Sequence, residues 1–282
     1  MNAPPALTDT IALARNRARA MALPAPALFL HEEAAREIKE RLNEVNRRFT
    51  KPAIVTGFPD FWRGFMPEAK VVSESEVLDL TPGAHDLVLH TLALHWANDP
   101  VGQLVQCRHA LRPDGLMIAA MMGGQTLHEL RAALAEAEIA LTGGLSPRVL
   151  PMGEIRDLGA LLQRAGLALP VADSLPLSVS YETPFHLMRD LRAMGEANAL
   201  QARHRRFAPR QLFAEAARRY SAAFSDAEGR IRATFEMVFL TGWAPSPDQP
   251  KPLRPGSAKA SLAEALGTSE IPLPDPAPKG RN

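Results

Sequence analysis

The spacing of apolar positions changes several times along the chain, and each change marks an element. Between residues 31 and 49, Ala34, Ile38, Leu42 and Val45 recur at helical spacing while Glu33, Arg36, Glu37 and Glu40 cover the other side. That pattern predicts an amphipathic helix. Residues 52–57 read as a first short buried strand running into a loop, and residues 69–72 as a second, followed by the acidic Ser73-Glu74-Ser75-Glu76. Residues 86–94 form a mostly apolar run of strand length that ends at His95-Trp96. Asn98 or Asp99 caps the next helix, with Pro100 at its first position, where no backbone N–H is needed. Leu104, Val105, Ala110 and Leu111 give that helix an apolar stripe. Arg112-Pro113-Asp114-Gly115 predicts a turn, proline setting the bend and glycine tolerating positive φ. Residues 116–122 are then a fully apolar strand, closed by Gly123-Gly124.

Two near-continuous apolar strands joined by a helix imply a right-handed βαβ unit in a parallel sheet covered on both faces. Ligands of such sheets bind beyond the carboxyl ends of the strands. His95 and Trp96 are therefore expected beside Gly124 and Gln125 at the mouth of a site. From Pro52 to the strand at residue 86 there are only about thirty-five residues, short for two strand–helix units, so one element is expected to be missing or trimmed. Further on, residues 127–141 and 152–165 read as helices, with a glycine-flanked loop at 143–148 that carries Arg148 over the mouth. Residues 167–171 and 175–181 form either a hairpin or one bent strand. Pro184 opens a long helical stretch, and a further helix covers residues 209–224. The alternating run 231–243 is expected to pair with the 175–181 region and close the sheet with an antiparallel edge.

At 282 residues and 46% hydrophobic, the chain has ample material for one α/β domain with extensions. The expected division is a basic N-terminal arm over residues 1–30, a domain over 31–244, and a proline-rich tail over 245–282 whose end is mobile. A net charge of +1 argues against a general nucleic-acid binder. The single cysteine, Cys107, fits a reducing compartment. No stretch approaches the apolar length needed to span a bilayer. Arg15, Arg17 and Arg19 stand in an acid-free N-terminal segment, which reads either as a helix packing on the domain or a partner, or as an organelle transit peptide. Arg203-His204-Arg205-Arg206 reads as a solvated helix end or loop rather than a phosphate site. There is no CxxC, HExxH, GxSxG or P-loop pattern, and no metal site is expected.

Candidate chemistry gathers at the strand ends. His95 is a candidate general base and Trp96 its neighbour at the site; Gly124, Gln125 and Arg148 are candidate substrate contacts. An arginine there suits a carboxylate-bearing partner, since its planar fork binds such groups bidentately. At the other end of the sheet, Gly57 is the one glycine left in a turn crowded by Phe58, Pro59, Phe61 and Trp62. Glu74 stands where an acid after a second strand accepts hydrogen bonds from a ribose, or else lies in a solvated acidic loop.

The motifs at residues 94–100 (LHWANDP), 111–115 (LRPDG) and 122–131 (MGGQTLHELR) resemble class I methyltransferases of the malonyl-carrier-protein type used in biotin synthesis. The fit is closer to their relatives, the methyltransferase-like assembly factors of respiratory complex I (NADH:quinone oxidoreductase). GGLSPRVLPM, DLGALLQRAGL, LMRDLRAMGEANAL, ATFEMVFLTGW and RPGSA resemble that branch too, so the likeness runs from about residue 27 to residue 266. It implies a Rossmann-like class I methyltransferase fold, mostly parallel, with an antiparallel C-terminal edge. It also implies S-adenosyl-L-methionine as cofactor, with Gly57 and Glu74 as binding positions. Cofactor-binding members carry an acid and a Gly-x-Gly turn around the first strand; residues 54–59 keep Gly57 alone, so the motif is expected to be degenerate and binding weak. By alignment Glu74 matches the acid after strand three, near the adenine; if the sheet has lost a strand, it serves the ribose. Mitochondrial relatives are implicated in arginine hydroxylation rather than methylation. The resemblance thus implies action on a protein substrate, a complex I subunit, during assembly. The competing expectations are a genuine methyltransferase on a small-molecule or carrier-protein carboxyl and a cofactor-free binding protein. The implied location is the cytoplasm, or the mitochondrial matrix if the basic arm is a transit peptide, with peripheral membrane contact allowed.

Overall fold

The computed structural model describes residues 6–250 and 266–268. The RPGSA run at residues 254–258 and the expected mobile end of the tail lie outside the described residues. Two compact units divide the chain, Met1–Ser246 and Pro247–Asn282; the sheet, helices and cavities belong to the first. The second has turns at its described residues.

The first unit begins with α1 (Thr10–Met21), which starts on Asp9, whose carboxylate accepts the Ala12 N–H. Then come α2 (Phe29–Val45), β1 (Pro52–Thr56), α3 (Pro59–Phe65), β2 (Lys70–Ser73) and β3 (His85–Thr91). A 3-10 turn at Leu94–Trp96 leads to α4 (Pro100–Ala110), β4 (Leu111–Gly123), α5 (His128–Thr142) and α6 (Ile155–Arg164). β5 (Ala168–Tyr181), α7 (Pro184–Ala193), α8 (Arg210–Phe224) and β6 (Ile231–Trp243) complete it.

Strand order is β2-β1-β3-β4-β6-β5. β1 to β4 pair in parallel, and β6 is antiparallel to both β4 and β5. This is the expected α/β architecture: a mostly parallel sheet with an antiparallel edge. In a doubly wound sheet the chain ordinarily runs on to a third strand outside the second. Here it stops at β2 and returns to β3 without a regular element, so the outermost unit is the missing one. Glu74 then directly follows β2, the strand next to β1.

β1, β3 and β4 from Leu116 on are buried on both faces, which explains their unbroken apolar runs. Ile54, Leu87, Leu89, Ile118, Phe235 and Phe239 face the core shared with α2, α5, α7 and α8. Val55, Val88, Met117, Met121, Val238 and Leu240 face the core shared with α4 and α6.

Several elements differ from expectation. Residues 112–115 are not a turn between α4 and the strand. β4 begins at Leu111 and bulges against β3, and the positive φ of 61° falls on Asp114 rather than Gly115. Residues 168–181 form one irregular strand, resolving the alternatives in favour of the bent strand. The bulky turn after β1 is helical: Phe58 and Trp62 are core residues, and α3 is built around them. The long helical stretch after Pro184 ends at Ala193, because Gly195 adopts φ 76° and turns the chain back. Helix α1 lies on the domain, burying Ala12, Leu13, Arg17 and Ala20.

Candidate functional site

The strand order reverses between β1 and β3, and the crevice beyond their carboxyl ends is where such a sheet takes ligands. A cavity of about 810 Å³ opens there, lined by Thr10, Ala14, Arg17, Gly57, Glu74 and Trp96 among others. A second cavity, of about 220 Å³, lies on the α5–α7 side, walled by apolar groups such as Leu92, Leu127, Met188 and Phe235. His31, His95, Arg148 and Glu196 supply its polar rim. Trp96 borders both cavities and forms the wall between them.

The centre of the crevice is occupied by a side chain of this chain. Arg17 is 2% exposed although it comes from the N-terminal helix. Its Nε stands 2.7 Å from Glu74 Oε1 and its Nη2 3.6 Å from Glu196 Oε1. Nη2 also donates to the Leu92 carbonyl at 3.3 Å, and the guanidinium lies over the Phe58 ring at 5.5 Å. Two glycines make this approach possible. A Cβ on Gly57 would overlap the guanidinium, and a Cβ on Gly195 would come 3.2 Å from the Arg17 Cα.

Glu196 joins the crevice to the residues expected from the sequence. Its Oε2 accepts a hydrogen bond from Trp96 Nε1 at 2.6 Å and faces His95 Nε2 at 3.4 Å. His95 Nδ1 accepts the Met122 N–H at 3.4 Å, which leaves the ring proton on Nε2, toward Glu196. Both ring nitrogens are thus engaged. Burial pushes the Glu196 carboxyl upward, but the His95 contact, the Arg17 charge and the Trp96 N–H outweigh it and hold the group at about 2. Burial dominates at Glu74, lifting its carboxyl to about 7 against the pull of Arg17. One guanidinium therefore sits between two carboxyls of very different acidity.

Supporting contacts come from further residues. His90 Nε2 is 2.7 Å from the Gln103 side-chain oxygen, and Gln103 Nε2 donates to the Ser75 carbonyl, which fixes the loop carrying Glu74. His31 Nδ1 accepts the Trp62 indole N–H at 3.1 Å; burial, helped by the Arg17 charge, lowers its pKa to about 3. Arg148 reaches the smaller cavity, but its fork is held by Glu138, at 2.6 Å from Nη2 and 3.2 Å from Nε. Burial opposes ionisation of Glu138, yet Arg148 and Ser146 bring it to about 2.

Gly124 and Gln125 do not line either cavity. Gly124 adopts φ 48° against Glu236, where a Cβ would overlap the carboxylate, and the Gln125 N–H donates to Glu236 Oε2 at 2.8 Å while its side chain is exposed. Both sit at the β4–α5 corner, against Glu236. Among the described residues, no group of three or more His, Cys, Asp or Glu side chains is gathered to hold a metal ion.

Arg17 and Glu196 were not singled out from the sequence. A signal existed for the first: Leu13, Arg17 and Ala20 share one helical face, so an arginine lies on the apolar stripe of α1. For Glu196 the signal was Gly195 before it, a helix stop inside an otherwise helical run.

Topology and crevice define a Rossmann-like fold of the class I methyltransferase kind, with its ligand end beside β1. No family model matches the chain. By sequence it is homologous to the mitochondrial arginine hydroxylase NDUFAF5. The zebrafish (Danio rerio) protein is 38% identical over 199 residues, 71% of this chain and 62% of that protein. The human protein is 37% identical over 199 residues, 71% of this chain and 57% of that protein. A malonyl-[acyl-carrier protein] O-methyltransferase from Laribacter hongkongensis is 36% identical over 178 residues, 63% of this chain and 57% of the enzyme. The chain thus spans less than two thirds of the length of these curated relatives. Among solved structures, the YcgJ protein of Bacillus subtilis is 10% identical with a TM-score of 0.44, covering 71% of this chain and 94% of that one.

Proposed function

We propose that this protein acts on an arginine of a respiratory complex I subunit during assembly of the complex, on a methyltransferase fold whose cofactor end has been reworked. The observation that carries this reading is the pair Glu74 and Glu196, which grips a guanidinium at the switch-point crevice. Homology to proteins named arginine hydroxylases supports it. Glu196, held at about 2, is ionised at neutral pH and supplies the fixed charge. His95 and Trp96 act as positioning residues for that carboxylate, and Arg148 with Glu138 frames the apolar cavity next to it.

S-adenosylmethionine would need the backbone at Gly57 and the carboxylate of Glu74. With Arg17 seated, the first is covered and the second is paired, so the residues present do not fit this cofactor. The single-glycine turn adds to that reading of a degenerate motif. The expected dissociation constant in calorimetry is above roughly 100 μM. Micromolar binding would restore the alternative, methyl transfer to a small-molecule or carrier-protein carboxyl, which the O-methyltransferase relatives favour. A purely cofactor-free binding role is the remaining alternative.

The place of action is where the complex is built: the cytoplasm, or the mitochondrial matrix if the basic arm is a transit peptide, beside the membrane; the arginine hydroxylase relatives are named mitochondrial. Among the described residues, no helix is long and apolar enough to cross a membrane. The deciding experiment compares NADH-linked with succinate-linked respiration in membranes of a deletion strain. Selective loss of NADH-linked respiration, restored by the wild-type gene, is expected. Equal loss of both, or of neither, overturns the proposal.

A further inference from the structure

We infer that Glu74, Glu196 and the Leu92 carbonyl form a guanidinium-binding site that Arg17 fills in cis, and that α1 is a strap which swings out when an arginine of a protein substrate takes its place. The inference rests on the proposed action at a protein arginine and adds the resting occupant and its exchange.

Three observations carry it. The cradle has the chemistry of an arginine site: two carboxyls and a carbonyl aimed at one planar cation, with Phe58 beneath it. Next, Arg17 fits it imperfectly. Its Nε is close to Glu74 yet misaligned for a hydrogen bond, so Arg17 Nε and Nη1 and Glu74 Oε2 are all buried without one. Buried donors and acceptors of a settled structural pair are nearly always satisfied. A guanidinium approaching from the open side of the 810 Å³ cavity has the unused acceptor Glu74 Oε2 available. Lastly, α1 is fastened ahead of its first turn and buries little apolar surface along its length. Apart from Arg17 it buries only Ala12, Leu13 and Ala20. Its other ties lie before its first turn or on its flank: the Thr8–Leu200 bridge with the Asp9 N–H on the Ala199 carbonyl and the Gln201 N–H on the Leu7 carbonyl, Asp9 to Arg203 and Arg205, Thr8 to Asn98, and Asn16 to the Ala197 carbonyl. Segments with little apolar burial open locally at small free-energy cost. Residues 22–28, with Pro24 and Pro26, link α1 to α2 without regular structure and give the strap its joint.

The site takes a peptide arginine rather than a bare amine, because a planar fork spans acceptors set apart along its edge, whereas a compact ammonium reaches only acceptors crowded around one nitrogen. Its ligand class is an arginine in an extended, accessible segment of a partner protein.

The test uses the full chain, as wild type and as Arg17→Ala and Arg17→Met, the second keeping the apolar stem over Phe58. Methylguanidinium is expected to raise the melting temperature of both variants saturably and to leave the wild type unmoved, while methylammonium at equal ionic strength does nothing. An acetylated pentapeptide with one central arginine is expected to bind the variants at least about tenfold tighter than the wild type. In the wild type, saturating peptide is expected to speed amide exchange across α1, which needs no variant. Equal rescue by both cations, equal peptide affinity for wild type and variants, or unchanged exchange in α1 would each overturn the strap. Free arginine matching the peptide would reassign the site to a small guanidinium and likewise overturn it. Cation rescue and peptide preference in a protein whose deletion spares NADH-linked respiration would uphold the strap and fault the proposed function instead.

Discussion

Trp96 and Glu196, a hundred residues apart, meet through an indole N–H donated to a carboxylate oxygen at 2.6 Å, and that bond is the hinge between the two cavities. Glu196 has further partners in His95 and Arg17, all in a largely buried setting. Glu196→Ala strips the charge from three neighbours and is expected to cost about 3 kcal/mol in urea unfolding. Trp96→Phe removes only the donor and is expected to cost roughly 1–2 kcal/mol. The double variant should be less destabilised than the sum; strict additivity would show that the bond contributes nothing.

Acid should unfold this protein earlier than its carboxylates alone would. Burial lowers His31 to about 3 and His90 to about 4, and it lowers His85 as well. Between those values and the ordinary 6.5 of histidine, the unfolded chain binds more protons, so stability rises with pH and is complete only above 6.5. Glu74 works in the opposite sense. Raised to about 7, it favours the folded state below its ordinary 4.5, and that contribution is lost as pH climbs through 7. The histidines outnumber it, so melting temperature should climb from pH 5 to 6.5. A His31→Gln, His90→Gln double variant should show a much flatter profile; an unchanged slope would rule out these two groups.

Function should depend on the wall and rim more than on the glycine turn. Trp96→Ala opens the partition between the cavities, and Arg148→Ala leaves the buried Glu138 with Ser146 alone. Both are expected to fail in complementing NADH-linked respiration. Gly57→Ala pushes on the Arg17 guanidinium and is expected to complement. The reverse pattern, in variants checked for folding, would put the working end at the glycine turn.

Cys107 should be silent. It is fully buried in α4, and burial pushes its thiol up to about 12. Alkylation by iodoacetamide at pH 8 should run at least about a hundredfold slower than for a free thiol and speed up only on unfolding. Rapid labelling of the folded protein would show that α4 opens locally.

The centre of the sheet was legible because β1, β3 and β4 are buried on both faces: unbroken apolar runs such as residues 116–122 admit little else. The trimmed unit was legible from chain length alone. Asp114 escaped because a Pro-Asp-Gly run signals a turn locally, whereas tertiary pairing with β3 turns it into a bulge. At the site, His95 and Trp96 could be placed from the strand, since they stand in the short turn that follows β3. Arg17 and Glu196 could not, because the contacts that define them join residues 179 and 100 positions from their partners. Arginines are read by default as solvated, and only the stripe from Leu13 to Ala20 spoke against it. Gly124 and Gln125 were placed at the right corner of the sheet, but which way that corner faces is set by Glu236 on a strand far along the chain.

The guanidinium that plugs the crevice is covalently part of the same molecule, so dilution cannot remove it. A competitor attached by a short flexible segment acts at an effective concentration of the order of mM, whether the protein itself is scarce or abundant. A free arginine or a chance basic side chain meets that standing competition with nothing but its own head group. A partner that docks along the surface first brings its arginine in at a comparable local concentration and wins on the added contacts. Tethering turns a site that any guanidinium could enter into a filter on the size of the encounter surface.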